Sequence, residues 1–379
     1  MMEKKRLGNY ITEYSVRNKK NEDIPVYSVT NTQGFCQDYF GKEVASKDKS
    51  TYKIVPHGYF AYNPSRINVG SVDWQRNEDR VIVSPLYNVF SVSIALKSQY
   101  LYYYLKSNIV LQRIKTIARG SVRDNLKLDM LAEFPINVPS LKEQQTIIDI
   151  LDKIKSVIGL YTIQLQKLDE LVKARFVELF GDPATNPMKW AETTIGAECY
   201  YIKDGPHKSL PDVGKDNGYP FISVRNIVNG FIDFSTAKYI SEADYQEAIK
   251  KCHPQKGDML YSKGGTTGIA KLIDVDIDFA NWVHVAVLKF DTSLNGIFFE
   301  NMLNSDYCYA QSQRLTKGIA NRDLVLSAMA KIRLYKPPLA LQEQFAAFVK
   351  QTDKSKVVIQ KALDEAQVLF GSLMQKYFG

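Results

Sequence analysis

The chain has 379 residues, of which 45% are hydrophobic and 24% charged, with a formal net charge of +8. That composition is ordinary for a soluble globular protein with room for two or three domains, and no apolar run approaches the roughly 18 residues of a membrane span. The four cysteines (Cys36, Cys199, Cys252, Cys308) lie far apart and form no CxxC, which excludes a disulfide framework and reads as buried thiols in a reducing cytoplasm.

The N-terminus, MMEKKRLGNY, has no apolar h-region, so nothing there suggests export. Residues 1–139 read as a mixed α/β region. Short β-rich runs such as VIVSPLYNVFSVSI alternate with Gly, Asn and Asp turns. This region holds 20 Lys+Arg against 13 Asp+Glu, a balance of +7, compatible with a polyanionic partner. Its YLYYYL run (100–105) reads as core, not as a base-stacking platform.

Residues 140–182 read as one long helix. Ser140 followed by Glu143 makes a capping box behind Pro139, and Gly181 with Pro183 ends it. Between them Ile147, Leu151, Ile154, Ile158, Tyr161, Leu165, Leu168 and Val172 alternate four and three apart, as in a coiled-coil seam.

Residues 183–338 repeat the mixed pattern with 18 Lys+Arg against 17 Asp+Glu, a balance of +1. The stretch SKGGTTGIAK (262–271) lacks the Gly-Lys-Ser/Thr ending of a Walker A loop, but its glycines and threonines suit a nucleic-acid backbone. Residues 339–379 form the second long helix, with Phe345, Val349, Thr352, Lys356, Ile359, Leu363, Ala366, Phe370, Leu373 and Tyr377 on the same spacing. Thr352 and Lys356 weaken that seam.

The chain is thus written twice. PVYSVTNTQGF from Pro25 answers PFISVRNIVNGF from Pro220; Gly58 answers Gly257; Leu105 and Ser107 answer Leu303 and Ser305. Gly120 with Leu126 answers Gly318 with Leu324, and Glu143-Gln144 answers Glu343-Gln344. Five stations in one order make an internal repeat. The fold class expected is α+β: two similar mixed domains separated by two long helices that form an antiparallel coiled coil, with a pseudo-twofold repeat. The alternative is that each helix packs only on its own domain.

Catalytic tools are absent from the sequence. His57, His207, His253 and His284 show no metal spacing, and no GxSxG elbow occurs. YNPSRINVGS (62–71) has Asn-Pro but not the Asn-Pro-Pro-aromatic motif of adenine methyltransferases, and no S-adenosylmethionine loop is visible.

Two variable-looking domains, two long helices each opened by Leu-x-Glu-Gln just after a proline, and no catalytic motif resemble the specificity subunit of type I restriction–modification systems. YNPSRINVGS, VSPLYNVF, GSVRDNL (120–126) and LFGDP (179–183) are similar to wording common in that family. The resemblance spans essentially the whole chain. It implies two target-recognition domains, each reading half of a bipartite double-stranded DNA site, and helices that act as a ruler and dock two modification subunits. It also implies that S-adenosylmethionine, ATP and Mg belong to partner subunits, the modification and restriction subunits, and that the chain works in a prokaryotic cytoplasm without a membrane.

Half-sites of a few base pairs need hydrogen-bonding side chains on base edges and cations on phosphates. Candidates in the first domain are Arg66, Asn68, Arg76, Arg119, Ser121, Arg123 and Asn125. In the second they are Lys203, His207, Lys208, Arg225, Asn226, Lys263, Thr266, Thr267, Arg314, Lys317 and Arg322. Two other classes of function remain open at this point: a self-contained DNA-modifying enzyme, and a coiled-coil assembly protein that binds other proteins.

Overall fold

The computed structural model describes residues 4–37, 48–118, 125–319 and 321–379. The chain divides into two compact units, 1–163 with 360–379, and 164–359. Each unit therefore holds one mixed domain and part of both long helices.

In the first unit a four-stranded antiparallel sheet takes the order Ile11–Glu13, Asn88–Val92, Phe60–Tyr62, Val72–Trp74. Phe60, Ala61 and Tyr62 are all fully buried, because both faces of their strand are covered. Phe60 lies opposite Phe90 in register, with stacked rings 5.1 Å apart, the kind of cross-strand pair that fixes a sheet. The second unit repeats that order with Cys199–Asp204, Val285–Phe290, Met259–Ser262 and Ala270–Leu272.

Smaller details repeat as well. A short strand pair closes each domain, Lys5–Arg6 with Pro135–Ile136 and Glu192–Thr194 with Arg333–Tyr335. Leu7 N donates to Phe134 O, and Ile195 N to Ile332 O. Gly8 and Gly196 lie so close to Ala132 and Ala330 that a Cβ would come within 3.1 Å of either alanine methyl. The YLYYYL run is core: Tyr100, Leu101, Tyr103, Tyr104 and Leu105 are buried in the helix Ser98–Lys106.

The central helix spans Leu141–Phe180 and the terminal helix Leu339–Phe378, 40 residues each, or about 60 Å at 1.5 Å per residue. The capping box forms at Ser140: its N–H and hydroxyl donate to Glu143 Oε2 at 3.0 and 2.7 Å, and Glu143 N donates back at 3.3 Å. Those bonds hold the Glu143 carboxyl below its usual range. Gly181, at φ +75°, ends the helix in the left-handed conformation that glycine adopts without penalty.

One pairing read from the sequence needs correction. Gln144 does not correspond to Gln344, which is exposed, but to Gln342. Gln144 and Gln342 are both fully buried. Gln144 Nε2 donates to Pro139 O and its Oε1 accepts from Lys97 N; Gln342 Nε2 donates to Pro337 O and its Oε1 accepts from Asn295 N. Burial of a polar side chain with both ends satisfied, which Leu-x-Glu-Gln matching cannot see, sets the true offset at 198.

Within the second unit, Phe176 and Phe180 pack on Phe345 at ring distances of 5.4 and 5.6 Å, and Asp169 pairs with Lys356 at 2.7 Å. Later positions of one helix meet earlier positions of the other, so the two segments run antiparallel. In the first unit Ile148 and Leu151 share a cluster with Met374 and Phe378, and Tyr103 touches both Asp152 and Phe370.

Leu151, Val172, Phe345, Val349 and Leu363 are buried, while Ile147, Ile154, Ile158, Tyr161, Leu165, Leu168, Ile359 and Phe370 are half-buried. The two weak positions are accommodated. Thr352 is buried with its hydroxyl bonded to Phe348 O at 3.0 Å, and Lys356 makes the ion pair to Asp169. Each helix also packs on a domain: Leu151 joins the first domain's core, and Val172, Phe345 and Val349 the second's.

Candidate nucleic-acid interface

In each unit the loops at one end of the four-stranded sheet surround an open cleft of about 640 Å³. In the first unit the walls are the strand Ser28–Thr30, the turn Asn63–Arg66, and the turn Ser84–Tyr87 between two strands. Asn63 Oδ1 accepts from Ser65 N at 3.1 Å, and Arg66 caps a 3₁₀ turn, Ile67–Val69, that ends on Gly70 at φ +87°. Below the rim Lys53 Nζ donates to Tyr87 O at 2.7 Å, and Lys106 Nζ donates to Asn31 O and Gly70 O. Burial pushes the Lys106 ammonium down to about 8.

In the second unit the walls are Ser223–Arg225, Gly264–Gly265, Trp282, His284 and Asn321–Asp323. A neighbouring hollow of about 280 Å³ shares Ser223, Arg225 and Trp282. The glycines of SKGGTTGIAK have a steric purpose. A Cβ on Gly264 would stand 2.0 Å from His284 Nδ1, and one on Gly268, at φ +91°, 2.1 Å from Ser312 Oγ. Among the described residues, His284 Nδ1 and Trp282 Nε1 are buried and find no hydrogen-bond partner. Their rings meet edge to face at 4.9 Å.

The two clefts are built from corresponding positions. Ser28, Val29 and Thr30 answer Ser223, Val224 and Arg225; Arg66 answers Gly265; Ser84 and Leu86 answer Trp282 and His284. The backbone repeats around them: Leu126 N donates to Pro64 O, and Leu324 N to Lys263 O.

The candidate residues divide accordingly. Arg66 lines the first cleft; Arg225 and Arg322 line the second. Arg225 is exposed and anchors one Nη on Thr236 O at 2.9 Å, while Arg322 holds Gln313 Oε1. Arg76 is engaged elsewhere, paired to Asp73 at 2.9 Å with its guanidinium 4.1 Å over the Trp74 ring. Asn125 accepts from the Ser65 hydroxyl, and Asn68 is half-buried. Lys203 rests over the Tyr201 ring at 5.1 Å, and His207, Lys208, Thr266, Arg314 and Lys317 are exposed outside the clefts. Arg119, Ser121 and Arg123 lie outside the described residues.

Three candidates prove to be internal, which corrects their reading as contact residues. Asn226 is 1% exposed: its Oδ1 accepts from Ser223 N and Oγ in a capping box, and its Nδ2 donates to Asp233 O. Thr267 is 1% exposed, its hydroxyl 2.9 Å from that of Thr316. Lys263 is 5% exposed, with Nζ 2.9 Å from Asp323 and 3.5 Å from Asp204. A buried side chain with every polar atom engaged cannot also reach a base edge.

Sequence reasoning missed Thr30, Asn63, Leu86, Trp282, His284 and Asn321. The repeat itself held the signal, because these positions fall between matched stations yet differ in kind.

Among the described residues no cluster of three His, Cys, Asp or Glu side chains is placed to hold a metal, and no helix is long and apolar enough to cross a membrane. A family profile described as type I restriction modification DNA specificity domain matches residues 3–170 and again 190–366. Over 207 residues the chain is 25% identical to the type I restriction enzyme MjaIX specificity subunit of Methanocaldococcus jannaschii, covering 50% of this chain and 48% of that one. The chain thus spans about half the length of that relative.

Two solved structures share the fold. One is the S subunit of a type I restriction–modification system from M. genitalium, 15% identical with a TM-score of 0.56 over 99% of this chain and 96% of that one. The other, from work on complex assembly and conformational transition of the type I R-M system, is 16% identical with a TM-score of 0.60 over 99% and 97%.

Proposed function

The chain belongs to the type I restriction modification DNA specificity family, with the family's domain present twice, and from that premise we propose that it is the noncatalytic DNA-specificity subunit of such a complex. Each domain reads one half of a bipartite double-stranded site. The two helices set the spacer and present an extended surface to two modification subunits. S-adenosylmethionine, ATP and Mg are then held by the modification and restriction subunits, and the chain acts in the cytoplasm.

The observation that carries this reading is the pair of corresponding clefts, one per repeat, at the same place in the fold and with different linings. Duplication with divergence at an open cleft suits two related but unequal DNA sequences. The exposed apolar residues of the helices support docking: Leu160, Ile163, Val357, Val358 and Val368 are each more than half exposed.

Genomic adenine methylation, profiled with and without this chain beside its modification subunits, tests the proposal. A chain-dependent bipartite motif is expected. Exchange of residues 1–139 for another family member's first domain should then change one half-site only; a change in both would sink the modular reading. If the chain instead assembles proteins without reading DNA, its binding will lack the steep fall with salt that counterion release imposes on DNA complexes.

A further inference from the structure

Which side chains distinguish one half-site from the other can be argued from the two clefts. We infer that the clefts are the base-reading elements of the two half-sites, and that Arg225 in the second cleft reads a guanine. This rests on the function proposed above.

The repeat separates scaffold from reader. Ser28 and Ser223, Val29 and Val224, Tyr62 and Tyr261, and Leu126 and Leu324 keep their identity across the two halves. Between them, Thr30 corresponds to Arg225, Arg66 to Gly265 and Leu86 to His284, and each lines the cleft of its own unit. The local backbone diverges too, since Ser28–Thr30 is a strand and Val224–Asn226 a 3₁₀ turn, and a surface that keeps its place in the fold and changes its lining is where two copies of one fold acquire different sequence preferences.

Arg225 has the chemistry for a guanine. It is exposed beside both hollows of the second unit and forms no ion pair among the described residues, unlike Arg76. One N–H of Nη2 is fixed on Thr236 O, which leaves the second Nη2 N–H and its converging neighbour on Nη1 or Nε for a planar acceptor pair. Guanine offers O6 and N7 in the major groove in that geometry. Anchoring one edge of the guanidinium beforehand also reduces the side-chain freedom lost on binding.

The surroundings favour an electronegative ligand. Asp323 is neutralised from below by Lys263, and Asp204 by Lys251 at 2.8 Å. Arg225 and Arg322 then stand as the lining cations of the wall that form no ion pair among the described residues. The first cleft has Arg66 as its one lining cation among the described residues, with hydroxyl and amide groups and the 77% exposed Leu86. The two half-sites should therefore differ in base composition.

The test uses the full chain expressed with its modification subunits, and reads the methylated motif. Arg225→Ala and Arg225→Lys should each relax one base position of one half-site, losing roughly 10- to 100-fold discrimination, with the other half-site retained. Arg66→Ala should alter only the opposite half-site. Arg225→Lys separates two roles, since lysine keeps the charge and loses the bidentate fork. Full guanine preference in Arg225→Lys would show that the bidentate fork does not read the base and overturn the inference, as would an unchanged motif in Arg225→Ala or relaxation in both half-sites. If Arg225→Ala leaves no methylation, the lysine variant decides. Absence of chain-dependent methylation in the wild type overturns the proposed function as a whole, whereas a wild-type motif copied by the variants overturns this inference alone.

Discussion

Gly264 and Lys106 show how single residues tune the clefts. At Gly264 the backbone passes so close to His284 that an added methyl would lie 2.0 Å from its Nδ1. Gly264→Ala must therefore displace the imidazole or the loop, at a cost of about 1–3 kcal/mol. Thermal unfolding of the variant against wild type measures that cost, and an unchanged Tm would show that the loop yields freely. Lys106 makes a prediction of opposite character. Burial holds its ammonium down to about 8, from an ordinary 10.5. Between those values the unfolded chain binds a proton that the folded chain has released, so stability from this group rises as pH climbs through the window. Below pH 8 both states are protonated and the contribution is absent. Denaturant unfolding at a series of pH values between 8 and 10 should give a flatter profile for Lys106→Met than for wild type; parallel profiles would assign the slope to other groups.

At the scale of elements, the two long helices are tied most firmly where they meet a domain. Phe345 is fully buried against Phe176 and Phe180, whereas Leu165 and Leu168 are half-buried. Phe345→Ala should cost about 3–5 kcal/mol, and Leu165→Ala about 1 kcal/mol from area alone. Denaturant midpoints of the two variants give the ranking, and the reverse order would place the main support at Leu165. Both alternatives read from the spacing were partly right. The four-three alternation describes the helix pair, and the buried ends show that each helix packs on a domain core too. Periodicity reports which face of a helix is covered but not by what, because a domain and a second helix present the same apolar contact.

For the molecule as a whole, the proposed spacer role makes a length prediction. Four residues inserted into each long helix lengthen it by about 6 Å, while shifting the seam by little more than a tenth of a turn. The methylated motif should keep both half-sites and gain roughly one or two base pairs of spacer at about 3.4 Å each. An active variant with an unchanged gap would mean that the helices do not set the distance. Larger insertions should abolish activity, because each added base pair also rotates the second half-site by about a tenth of a turn.

The sequence alone determined the duplication, the α+β class, the two long helices with the caps of the first, and membership of the family, because these depend on local spacing and on words repeated along the chain. The capping box at Ser140 and the stop at Gly181 are examples: the atoms involved lie within a few residues of one another. Tertiary structure decided the rest. It matched Gln144 to Gln342, since burial with satisfied bonds is a property of three distant segments and not of a motif. It moved Asn226, Lys263 and Thr267 inside, and the last two are held by Asp323 and Thr316, partners that sequence proximity does not reveal. It gathered Arg225, His284 and Arg322 from turns about 40 to 60 residues apart into one cleft. Side chains that read a ligand have to converge in space and need no spacing along the chain, so only the folded backbone brings them together.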